Sequence, residues 1–404
     1  MGSSLENIEL VKKAKSYGYY TIVCDGYKEG PAKVYGDKAY CIDVGDVNAI
    51  VAICEREKVD GIVGSFSDHL AECITYIAEK AGLKWYLDSD QLSFYRDKAA
   101  ARSLMGKLGL KTPLSETVTA GKHKTIEEGL KPPVVIKPVS GWGSHGILVA
   151  ETKDEIVEFA SGQLLAGERY EAEEYCEAPE YNLNGWIHDG KIYILGIGDR
   201  EKNPRTANEI PFVNRIVYPA KDMSMIDEAK GILKKYADAT GQVEGPISMQ
   251  FFYDDSIIIG EIAGRLLGFE HELLNFSAGV DVESLLLGYV YDEDKLVTEL
   301  EKIQYSQPMC FAGLYLMVKE GETVGDMSKL RMLLEDDHCI ENRLSFTEGD
   351  IVKYGGQVSY FAQIYICGKD RDELDEVTQR FFYEYKVLNE RGEEIQTDCR
   401  FENR

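Results

Sequence analysis

The chain has 404 residues, of which 44% are hydrophobic and 28% charged, and its formal net charge is −25. This composition is typical of globular proteins that fold in water, and the length predicts two or three domains. No apolar run is long enough for a membrane span and no signal peptide opens the sequence, so we expect a cytoplasmic protein without a membrane partner. The nine cysteines form no CxxC pair, which predicts reduced thiols. So acidic a chain is also a poor nucleic-acid binder, since that affinity depends largely on phosphate neutralisation.

The first ninety residues alternate amphipathic helices with short apolar strands. The predicted order is a helix over 5–19, strands over 20–25 and 38–44, a helix over 47–57, a strand over 61–64 and a helix over 70–81. Strands that alternate with helices predict a parallel, right-handed α/β sheet of Rossmann type. Such a unit normally opens with a strand, whereas this chain opens with the short segment 1–4 and a helix. We therefore expect a Rossmann-like domain whose first strand is missing.

A helix over 92–108, with Asp97 and Lys98 near its start, leads to the most informative segment of the chain. There an apolar, β-branched strand over 134–137 delivers Lys137 into a loop rich in glycine and serine. The loop residues concerned are Ser140, Gly141, Gly143, Ser144 and Gly146. Glycines let the backbone approach a polyanion and turn several N–H groups towards it, and lysine adds a mobile positive charge. A second strand follows at once, so the segment predicts a phosphate-binding hairpin and differs from the P-loop and the dinucleotide fingerprint, which both open a helix.

Two further hairpins dominate the middle of the chain. The predicted elements are a helix over 153–160, a strand over 169–175, a hairpin over 182–186 and 191–196, a helix over 225–240 and a hairpin over 245–253 and 257–263. Asp189-Gly190 is a strong turn signal for the first hairpin. The second hairpin places Gln250 and Glu261 on its two arms, opposite each other or nearly so. Antiparallel hairpins interleaved with helices predict an α+β fold here.

Glu261 ends a strongly apolar strand, and Arg265 follows four residues later. A carboxylate is a hard oxygen ligand of the kind that Mg²⁺ prefers, and a guanidinium presents a fork of donors to phosphate oxygens. An ordinary surface ion pair between the two residues is the alternative. A charge at the end of so apolar a strand favours a cavity, so we interpret the pair as a metal and phosphate site.

Taken in chain order, these motifs resemble those of the ATP-grasp superfamily, in particular carboxylate–amine (amino acid) ligases and carbamoyl-phosphate-synthetase-like enzymes. The resemblance rests on Asp97-Lys98, Ile136-Lys137-Pro138 with its glycine loop, Glu173-Glu174-Tyr175-Cys176 with Glu180, Gln250 with Glu261-Ile262-Ala263-Gly264-Arg265, and Gly279-Val280-Asp281. It implies a multidomain α/β and α+β protein. The implied domains are a Rossmann-like pre-ATP-grasp domain over 1–90, an ATP-grasp domain of two α+β subdomains over 91–305 and a small C-terminal α+β domain over 306–404.

The resemblance also assigns roles around ATP and Mg²⁺, with Mn²⁺ as an alternative metal. Lys137 and Lys98 would contact phosphates, and backbone N–H groups of the glycine loop would cover the β- and γ-phosphates. Glu261 and Gln250 would lie at the metal and the nucleotide, with Gln250 as the neutral neighbour, and Arg265 would hold the transferring phosphoryl group. Lys137 and Arg265 would therefore carry the catalytic charge stabilisation.

The nucleoside end of ATP would lie along the end of the strand over 169–175 and the residues that follow it. Main-chain groups of Glu174, Tyr175 and Cys176 would read the adenine edge, and Glu180 would accept hydrogen bonds from the ribose hydroxyls. A surface lysine at 98 and an exposed loop acid at 180 are the structural alternatives for these two positions.

Two positions depart from the family pattern. Gln250 stands where a first carboxylate is usual, and Ala263 stands where an asparagine is expected. Such a site could hold its metal chiefly through ATP, because Mg²⁺ often binds together with substrate phosphates. Three functions stay open: an ADP-forming ligase that joins a carboxylate to an amine through an acylphosphate, a bicarbonate-using carboxylase or carbamoyl-phosphate-type enzyme, and a nucleotide-binding protein without turnover.

The small-molecule carboxylate and amine would bind near a cationic loop between the two middle hairpins. The candidates are Arg200, Lys202, Arg205 and Arg215, of which Arg215 is preferred because apolar residues flank it. His271, in a Glu-His pair like that of biotin carboxylase, could line the reaction centre, although such a histidine more often packs or caps. Strands over 311–319 and 356–368 and a helix over 371–385 would form a ferredoxin-like or split β-α-β layer. That layer would shield the nucleotide, and a homodimer is a further expectation.

Overall fold

The computed structural model of the chain describes residues 1–119, 130–138, 148–162, 169–204, 212–304, 309–355, 358–399 and 401. The glycine-rich loop with Ser140, Gly141, Gly143, Ser144 and Gly146 lies outside these residues, as does Arg205.

The N-terminal region contains a parallel pair of strands, β1 (Ile22–Asp25) and β2 (Lys38–Cys41), with helices around it. Its helices are Ile8–Ser16, Val47–Glu57 and Asp68–Ala81, and short 3₁₀ turns cover Leu5–Asn7 and Pro31–Tyr35. The strand predicted over 61–64 is wrong, because this segment has no regular ladder. Its backbone instead accepts a hydrogen bond at Val63 from the amino group of Met1, 2.8 Å away. Gly2 N–H bonds to Cys24 O, so residues 1–2 lie between β1 and this segment.

The helix predicted over 92–108 is two helices, Ser89–Arg96 and Lys98–Lys107. Asp97 separates them because its backbone is extended, with φ −97° and ψ 107°. Its carboxylate accepts hydrogen bonds from the N–H groups of Ala99 and Ala100, which is the usual way in which aspartate begins a helix. Lys98 therefore stands in the first turn of a new helix.

A four-stranded antiparallel sheet follows, in the order β3-β6-β4-β5. Its strands are β3 (Ser115–Thr119), β4 (Val134–Pro138), β5 (Leu148–Ala150) and β6 (Arg169–Glu174), and the helix Lys153–Gly162 packs on it. The predicted hairpin of β4 and β5 is confirmed by their antiparallel pairing. Val134, Ile136 and Ala150 are fully buried in the small core of this sheet, which leaves the alternate residue Lys137 pointing away from it.

An eight-stranded antiparallel sheet forms the rest of the scaffold, in the order β11-β10-β7-β8-β9-β12-β15-β14. Its strands are β7 (Glu180–His188), β8 (Lys191–Lys202), β9 (Val213–Tyr218), β10 (Gly245–Tyr253), β11 (Ile257–Ala263), β12 (Cys310–Leu316), β14 (Cys339–Leu344) and β15 (Ala362–Gly368). Both predicted hairpins are present. Asp189 and Gly190 join β7 to β8 with positive φ at both residues, as a type I′ turn requires. Gln250 faces Glu261 across the second hairpin, as predicted.

The two faces of this sheet are distinguished by strand register. Gln250, Asn182 and Gly198 are neighbours in one row, and we call their side the front face. The next row contains Phe251, Tyr181, Asp199 and Val217, which lie on the back face because side chains alternate along a strand.

Helices cover both faces of the eight-stranded sheet. The helices in this half of the chain are Ile226–Thr240, His271–Ala278, Val282–Tyr291, Glu293–Glu301, Ser328–Leu334 and Arg371–Glu384. His271–Ala278 packs on the front face, where Leu274 faces Gly196. Arg371–Glu384 packs on the back face, where its apolar residues share a core with Val217.

The C-terminal strands continue the eight-stranded sheet, because β12 pairs with β9. The sheet therefore crosses the predicted domain boundary at residues 305 and 306, and the predicted ferredoxin-like or split β-α-β layer stays a prediction. Local sequence patterns do not report which distant strand a strand will join. A small ribbon of β13 (Val324–Asp326) and β16 (Leu388–Asn389) lies beside this region. The three-part domain division stays a prediction.

No single helix among the described residues is long and apolar enough to cross a membrane. The helices His271–Ala278 and Val282–Tyr291 reach that length and composition only as a pair, and they are bent by 101° relative to each other.

Candidate active site

One cavity of about 2320 Å³ lies where the four-stranded sheet, the eight-stranded sheet and the N-terminal region meet. The predicted site residues that line it are Lys98, Lys137, Glu174, Tyr175, Cys176, Glu180, Arg200, Lys202, Arg215, Gln250, Glu261 and Arg265. The sequence motifs, which are spread over more than 160 residues, therefore meet at one place. His271 is not among the lining residues.

Lys137 reaches the cavity from β4 and contacts Glu173 on β6, with 2.6 Å between Nζ and Oε2. Burial, and then the neighbouring charge of Lys98, lower the pKa of Lys137 to about 8, although Glu171 opposes the shift. Glu261 also acts on this lysine from the other sheet. The two β-ribbons thus face each other across the cavity.

Arg102 is a lining residue that sequence reasoning missed. Its Nε lies 2.7 Å from Glu171 Oε1, its Nη2 contacts Glu173, and its Nη1 donates to Pro113 O at 3.2 Å. Lys98 and Arg102 are four residues apart, a spacing that places both on one side of a helix. The spacing of these two basic residues, together with the acidic strand β6, was the sequence signal that could have revealed Arg102.

Gln250 and Glu261 form the candidate metal position on the front face. They are register partners at a β-bulge, both line the cavity, and Glu261 is exposed to it. Ala263 is buried at 3% exposure and offers no ligand atom. One carboxylate and one amide oxygen fit a Mg²⁺ ion that also takes phosphate oxygens and water, because Mg²⁺ is commonly bound in that way.

Arg265 is bound by Asp68, a partner from the N-terminal region that the sequence did not reveal. The guanidinium makes a forked pair with the carboxylate, with Nε–Oδ1 at 2.6 Å and Nη2–Oδ2 at 2.8 Å. Burial alone would lower the pKa of Arg265, but Asp68 raises it above its usual value. Arg265 is therefore a fixed positive charge at the edge of the cavity, and Glu261 also acts on it.

The segment predicted to contact the adenine lies at the end of β6, and two of its three main-chain amides already donate hydrogen bonds within the protein. Glu174 N–H bonds to Leu114 O at 2.9 Å, and Tyr175 N–H bonds to Pro133 O at 3.1 Å. Among the described residues, the amide of Cys176 has no backbone acceptor. Of the three predicted amides, that of Cys176 is thus the best placed to donate to a ligand.

Glu180 lies on the front face and pairs with two cations of β8. Its oxygens are 2.6 Å from Arg200 Nη1 and 2.5 Å from Lys202 Nζ. Burial opposes ionisation here, but Arg200 and then Lys202 hold the pKa of Glu180 below its ordinary value. Glu180 and Arg200 are therefore ionised groups on the cavity wall.

Arg215, the preferred acceptor residue in the prediction, lies on the back face of the sheet. It pairs in register with Glu201, and its side chain has 0% exposure. Nη1 lies 3.2 Å from Glu201 and Nη2 lies 2.5 Å from Asp375, while the guanidinium stacks 4.5 Å from the ring of Phe401. This position borders the cavity and Nε has no hydrogen-bond partner among the described residues, but protein carboxylates occupy both Nη atoms. The predicted contact of Arg215 with a substrate carboxylate stays a prediction, which this geometry disfavours.

Arg371 completes this back-face cluster, which sequence reasoning also missed. It contacts Asp199 at 2.6 Å and Glu201 at 2.5 Å. Burial raises the pKa values of Asp199 and Glu201. Because Arg371 lies on the helix Arg371–Glu384 and its two partners lie on β8, these ion pairs connect the helix to the back face of the sheet.

His271 is a buried structural residue, so its prediction as a reaction-centre residue is wrong. Its Nδ1 lies 2.6 Å from Glu283 and its Nε2 lies 2.9 Å from Glu272, and its ring stacks on Phe66. Burial opposes protonation, but these two carboxylates hold the pKa of His271 above its usual value. The imidazolium joins helices and does not reach the cavity.

Glu270, the preceding residue, lies under the front face. It accepts hydrogen bonds from Tyr218 at 2.6 Å, Asn182 at 2.5 Å and Asn184 at 3.2 Å. Burial raises the pKa of Glu270 to about 7 even though these donors oppose the shift. Arg200 stands near enough to act on this carboxyl group as well.

No protein-family model matches the chain. Over 285 residues it is 26% identical to the formate-dependent phosphoribosylglycinamide formyltransferase of Methanocaldococcus jannaschii, and the match covers 66% of this chain and 68% of the relative. The enzyme of the same name from a Sulfurovum species is 27% identical over 158 residues, which is 39% of this chain and 41% of that relative. The chain thus spans well under half the length of that second relative.

Solved structures resemble the chain over almost its whole length. An L-amino acid ligase from Bacillus licheniformis matches with a TM-score of 0.76 and 16% identity, over 96% of this chain and 97% of that one. A phosphoribosylglycinamide synthetase from Anaerococcus prevotii matches with a TM-score of 0.74 and 16% identity, over 96% and 98%. The biotin carboxylase domain of Hydrogenobacter thermophilus 2-oxoglutarate carboxylase, in complex with MgADP and bicarbonate, matches with a TM-score of 0.70 and 16% identity, over 96% and 89%.

The chain shares its fold with these solved structures over almost its whole length. The predicted resemblance is confirmed, and the chain has the ATP-grasp fold.

Proposed function

We propose that this protein is an ATP-dependent, ADP-forming ligase that activates a small-molecule carboxylate as an acylphosphate and joins it to an amine. One observation carries the proposal: Lys137 and Glu261, on two different sheets, line the same cavity and interact electrostatically across it. A cation on one wall and an oxygen ligand on the other are what a bound metal–triphosphate requires.

The residues that would hold the nucleotide follow from the geometry. Lys137 would face phosphate oxygens from the four-stranded sheet and Arg102 from the helix Lys98–Lys107, and the amide of Cys176 would donate to the adenine edge. Glu261 and Gln250 would hold Mg²⁺, which when bound neutralises charge on the phosphate oxygens. The MgADP in the 2-oxoglutarate carboxylase neighbour supports this choice of nucleotide and metal.

The chain's own contribution to the reaction would be charge stabilisation and positioning. Lys137 and Arg265 would stabilise the phosphoryl group during transfer, and no side chain is needed as a covalent nucleophile. The protonated form of Lys137 is the useful one, and with a pKa of about 8 it predominates at neutral pH. The acylphosphate would then react with the amine before water can reach it in the walled cavity.

The test is a screen of paired amino acids and small organic acids with Mg·ATP, in which released ADP and phosphate are measured. Lys137→Ala and Glu261→Ala should reduce any genuine signal by a factor of about 100 or more, as expected when charge stabilisation is removed. Lys234→Ala and Glu9→Ala are matched controls, because both residues lie in exposed ion pairs outside the cavity. Equal loss in the controls, or no loss in the site variants, would refute the site assignment.

The same screen separates the other two functions. ADP release that depends on bicarbonate would select a carboxylase-type enzyme, and tight Mg·ATP binding without turnover on any acceptor would select a non-catalytic protein. The position of His271, away from the cavity, weakens the case for bicarbonate that the Glu-His pair made in the sequence. A homodimer, a cytoplasmic location and the finer site roles stay predictions.

A further inference from the structure

A group of ligand-type side chains lies where the N-terminal region meets the start of the helix His271–Ala278. Glu6, His271 and Glu272 each bring one ligand atom within 4.8 Å of the other two. These residues are only 4%, 3% and 7% exposed. Glu6 reaches the cavity, whereas His271 and Glu272 are not among its described lining residues. We call these three residues the buried triad, which shares no residue with the candidate metal position at Glu261.

Two atoms of the buried triad lack hydrogen-bond partners. His271 Nε2 and Glu272 Oε1 lie 2.9 Å apart, yet neither makes a hydrogen bond within the part of the chain that the structure describes. Glu6 Oε1 lies 3.9 Å from the same Nε2. Buried polar atoms are nearly always paired. Ligands that each lie about 2.1 Å from one Zn²⁺ ion can be no more than about 4.2 Å apart, so both separations suit a shared ion.

The imidazole of His271 is oriented as that of a metal ligand would be. Its other nitrogen, Nδ1, lies 2.6 Å from Glu283 Oε1, and its ring stacks on Phe66 with 4.8 Å between the centroids. Histidines that bind metals almost always use the second ring nitrogen to hold a carboxylate, a carbonyl or a water. The contact with Glu283 therefore leaves Nε2 to the two carboxylates of the triad.

The second oxygen of each triad carboxylate is also held. Tyr365 O–H donates to Glu272 Oε2 at 2.9 Å, and Phe269 N–H donates to Glu6 Oε2. Carboxylates that bind metals are commonly fixed by hydrogen bonds of this kind. These bonds leave both Oε1 atoms within 3.9 Å of His271 Nε2.

The charge around the triad is unbalanced. Glu283 adds a third buried carboxylate to the two of the triad. In the described part of the chain, Arg343 is the one permanent cation that forms ion pairs with these three acids, and it contacts the two of the triad. Arg343 also lies 3.1 Å from Glu341, whose side chain is 40% exposed. Buried charges are normally paired or bound to a metal, so the excess of negative charge favours a further cation.

We propose that the buried triad binds a divalent transition-metal ion such as Zn²⁺, through His271 Nε2 and the Oε1 atoms of Glu6 and Glu272. An imidazole with carboxylates suits such an ion, whereas Mg²⁺ prefers oxygen ligands throughout. The ion would take the place of the Nε2 proton, because imidazole binds metals in its neutral form, and Arg343 would keep its pair with Glu341.

This inference goes beyond the proposed function. The ion would connect the N-terminal turn Leu5–Asn7 to the helix His271–Ala278 and would take no part in phosphoryl transfer.

The experiment uses Co²⁺ as a spectroscopic probe of the full-length chain, which is freed of metal with a chelator and kept in excess Mg²⁺. We expect one tightly bound Co²⁺ whose visible absorption is that of nitrogen and oxygen ligands, and Zn²⁺ should displace it. The chain has nine cysteines, so sulfur-to-cobalt charge-transfer absorption would show that thiolates hold the ion instead. Such a spectrum, or the absence of Co²⁺ binding, would overturn the inference without any variant.

Three variants test the ligands. His271→Gln and Glu6→Gln each replace one ligand by a neutral amide, and they should raise the Kd for Co²⁺ about 100-fold. Tyr365→Phe removes only the hydroxyl that holds Glu272 and should raise this Kd about tenfold. Circular dichroism shows whether each variant folds. An unchanged Kd in a folded His271→Gln or Glu6→Gln protein would contradict the inference, and Tyr365→Phe decides in the same way if neither folds.

Two controls separate this site from others. His338→Gln is matched to His271→Gln, because His338 lies in a partly exposed pair with Asp336 at 2.8 Å, and it should leave the Kd for Co²⁺ unchanged. Glu261→Gln removes the carboxylate of the candidate magnesium position and should leave this Kd unchanged too. Loss of Co²⁺ binding in Glu261→Gln with retention in His271→Gln would assign the ion to the cavity and overturn the inference. The proposed function is tested separately, by ADP release.

Discussion

Arg200 and Arg215 occupy adjacent strands near the same end of the sheet, but their side chains lie on opposite faces and differ in exposure. Arg200 lies on the front face, where its side chain is 20% exposed and pairs with Glu180 on the cavity wall. Arg215 lies on the back face with 0% exposure, held by Glu201 and Asp375. The difference comes from strand register alone, since moving by one residue along a strand transfers a side chain to the other face.

This comparison teaches that apolar flanks around a charged residue do not show where the charge points. Arg215 was preferred as a substrate residue because its neighbours in sequence are apolar, but those neighbours only mark a buried strand. A buried arginine with two carboxylate partners contributes to structure. An arginine of the same strand pair with one partner and some exposure is available to a ligand.

The largest expected effect is on the back face. Arg215→Ala should lower the free energy of unfolding by about 3–5 kcal/mol, because it leaves Glu201 and Asp375 buried with one cation fewer. Urea denaturation followed by circular dichroism measures this change. The folded fraction should retain its KM for Mg·ATP, and a raised KM with unchanged stability would show that the two faces were assigned the wrong way round.

A smaller effect is expected on the front face, where a substitution should change catalysis and leave stability unaffected. Arg200→Ala should reduce kcat/KM about 100-fold, because it removes a cation from the cavity wall and leaves Glu180 with Lys202 only. Steady-state ADP release at saturating metal measures it. If Arg200→Ala lost stability as Arg215→Ala does and kept kcat/KM, the contrast between the two arginines would fail.

The pH dependence of stability tests the role of Glu270, which lies beneath the front face. Its pKa of about 7 lies above the ordinary value, so between about pH 5 and 7 the folded state holds more protons than the unfolded state. The free energy of unfolding should therefore fall as pH rises through this window, by an amount on the order of 2 kcal/mol relative to Glu270→Gln. Urea denaturation of both proteins at pH 5 and pH 8 gives the difference, and parallel pH dependences would contradict it.

The smallest effect concerns the protonation of Lys137. Above its pKa of about 8 the amine loses its proton, so the affinity for Mg·ATP should weaken towards tenfold per pH unit. Lys137→Arg should show a flatter profile, because the guanidinium stays charged. Calorimetric titration from pH 7 to 9.5 measures both profiles, and identical slopes would mean that Lys137 does not contact the nucleotide.

Much of the local structure could be predicted. The bounds of the second hairpin and the pairing of Gln250 with Glu261 agree with the structure, because alternating apolar residues and a short polar turn specify a hairpin locally. The helix Val47–Glu57 agrees as well, since its apolar residues follow the helical period.

The errors share a physical origin in contacts between distant residues. The segment 61–64 has a strand-like composition, but its one backbone partner among the described residues is Met1. His271 sits beside carboxylates from its own helix pair and from Glu6, near the other end of the chain. Asp68, which holds Arg265, comes from a helix whose pattern gives no sign of that partner.

By itself, the order of motifs along the chain determined the ATP-grasp fold, the two ribbons with Lys137 and Glu261, and the class of reaction proposed. Each of these depends on short patterns that fold locally. Only the tertiary structure decided which charges face the cavity and which are buried in pairs, because that depends on register and on partners hundreds of residues apart.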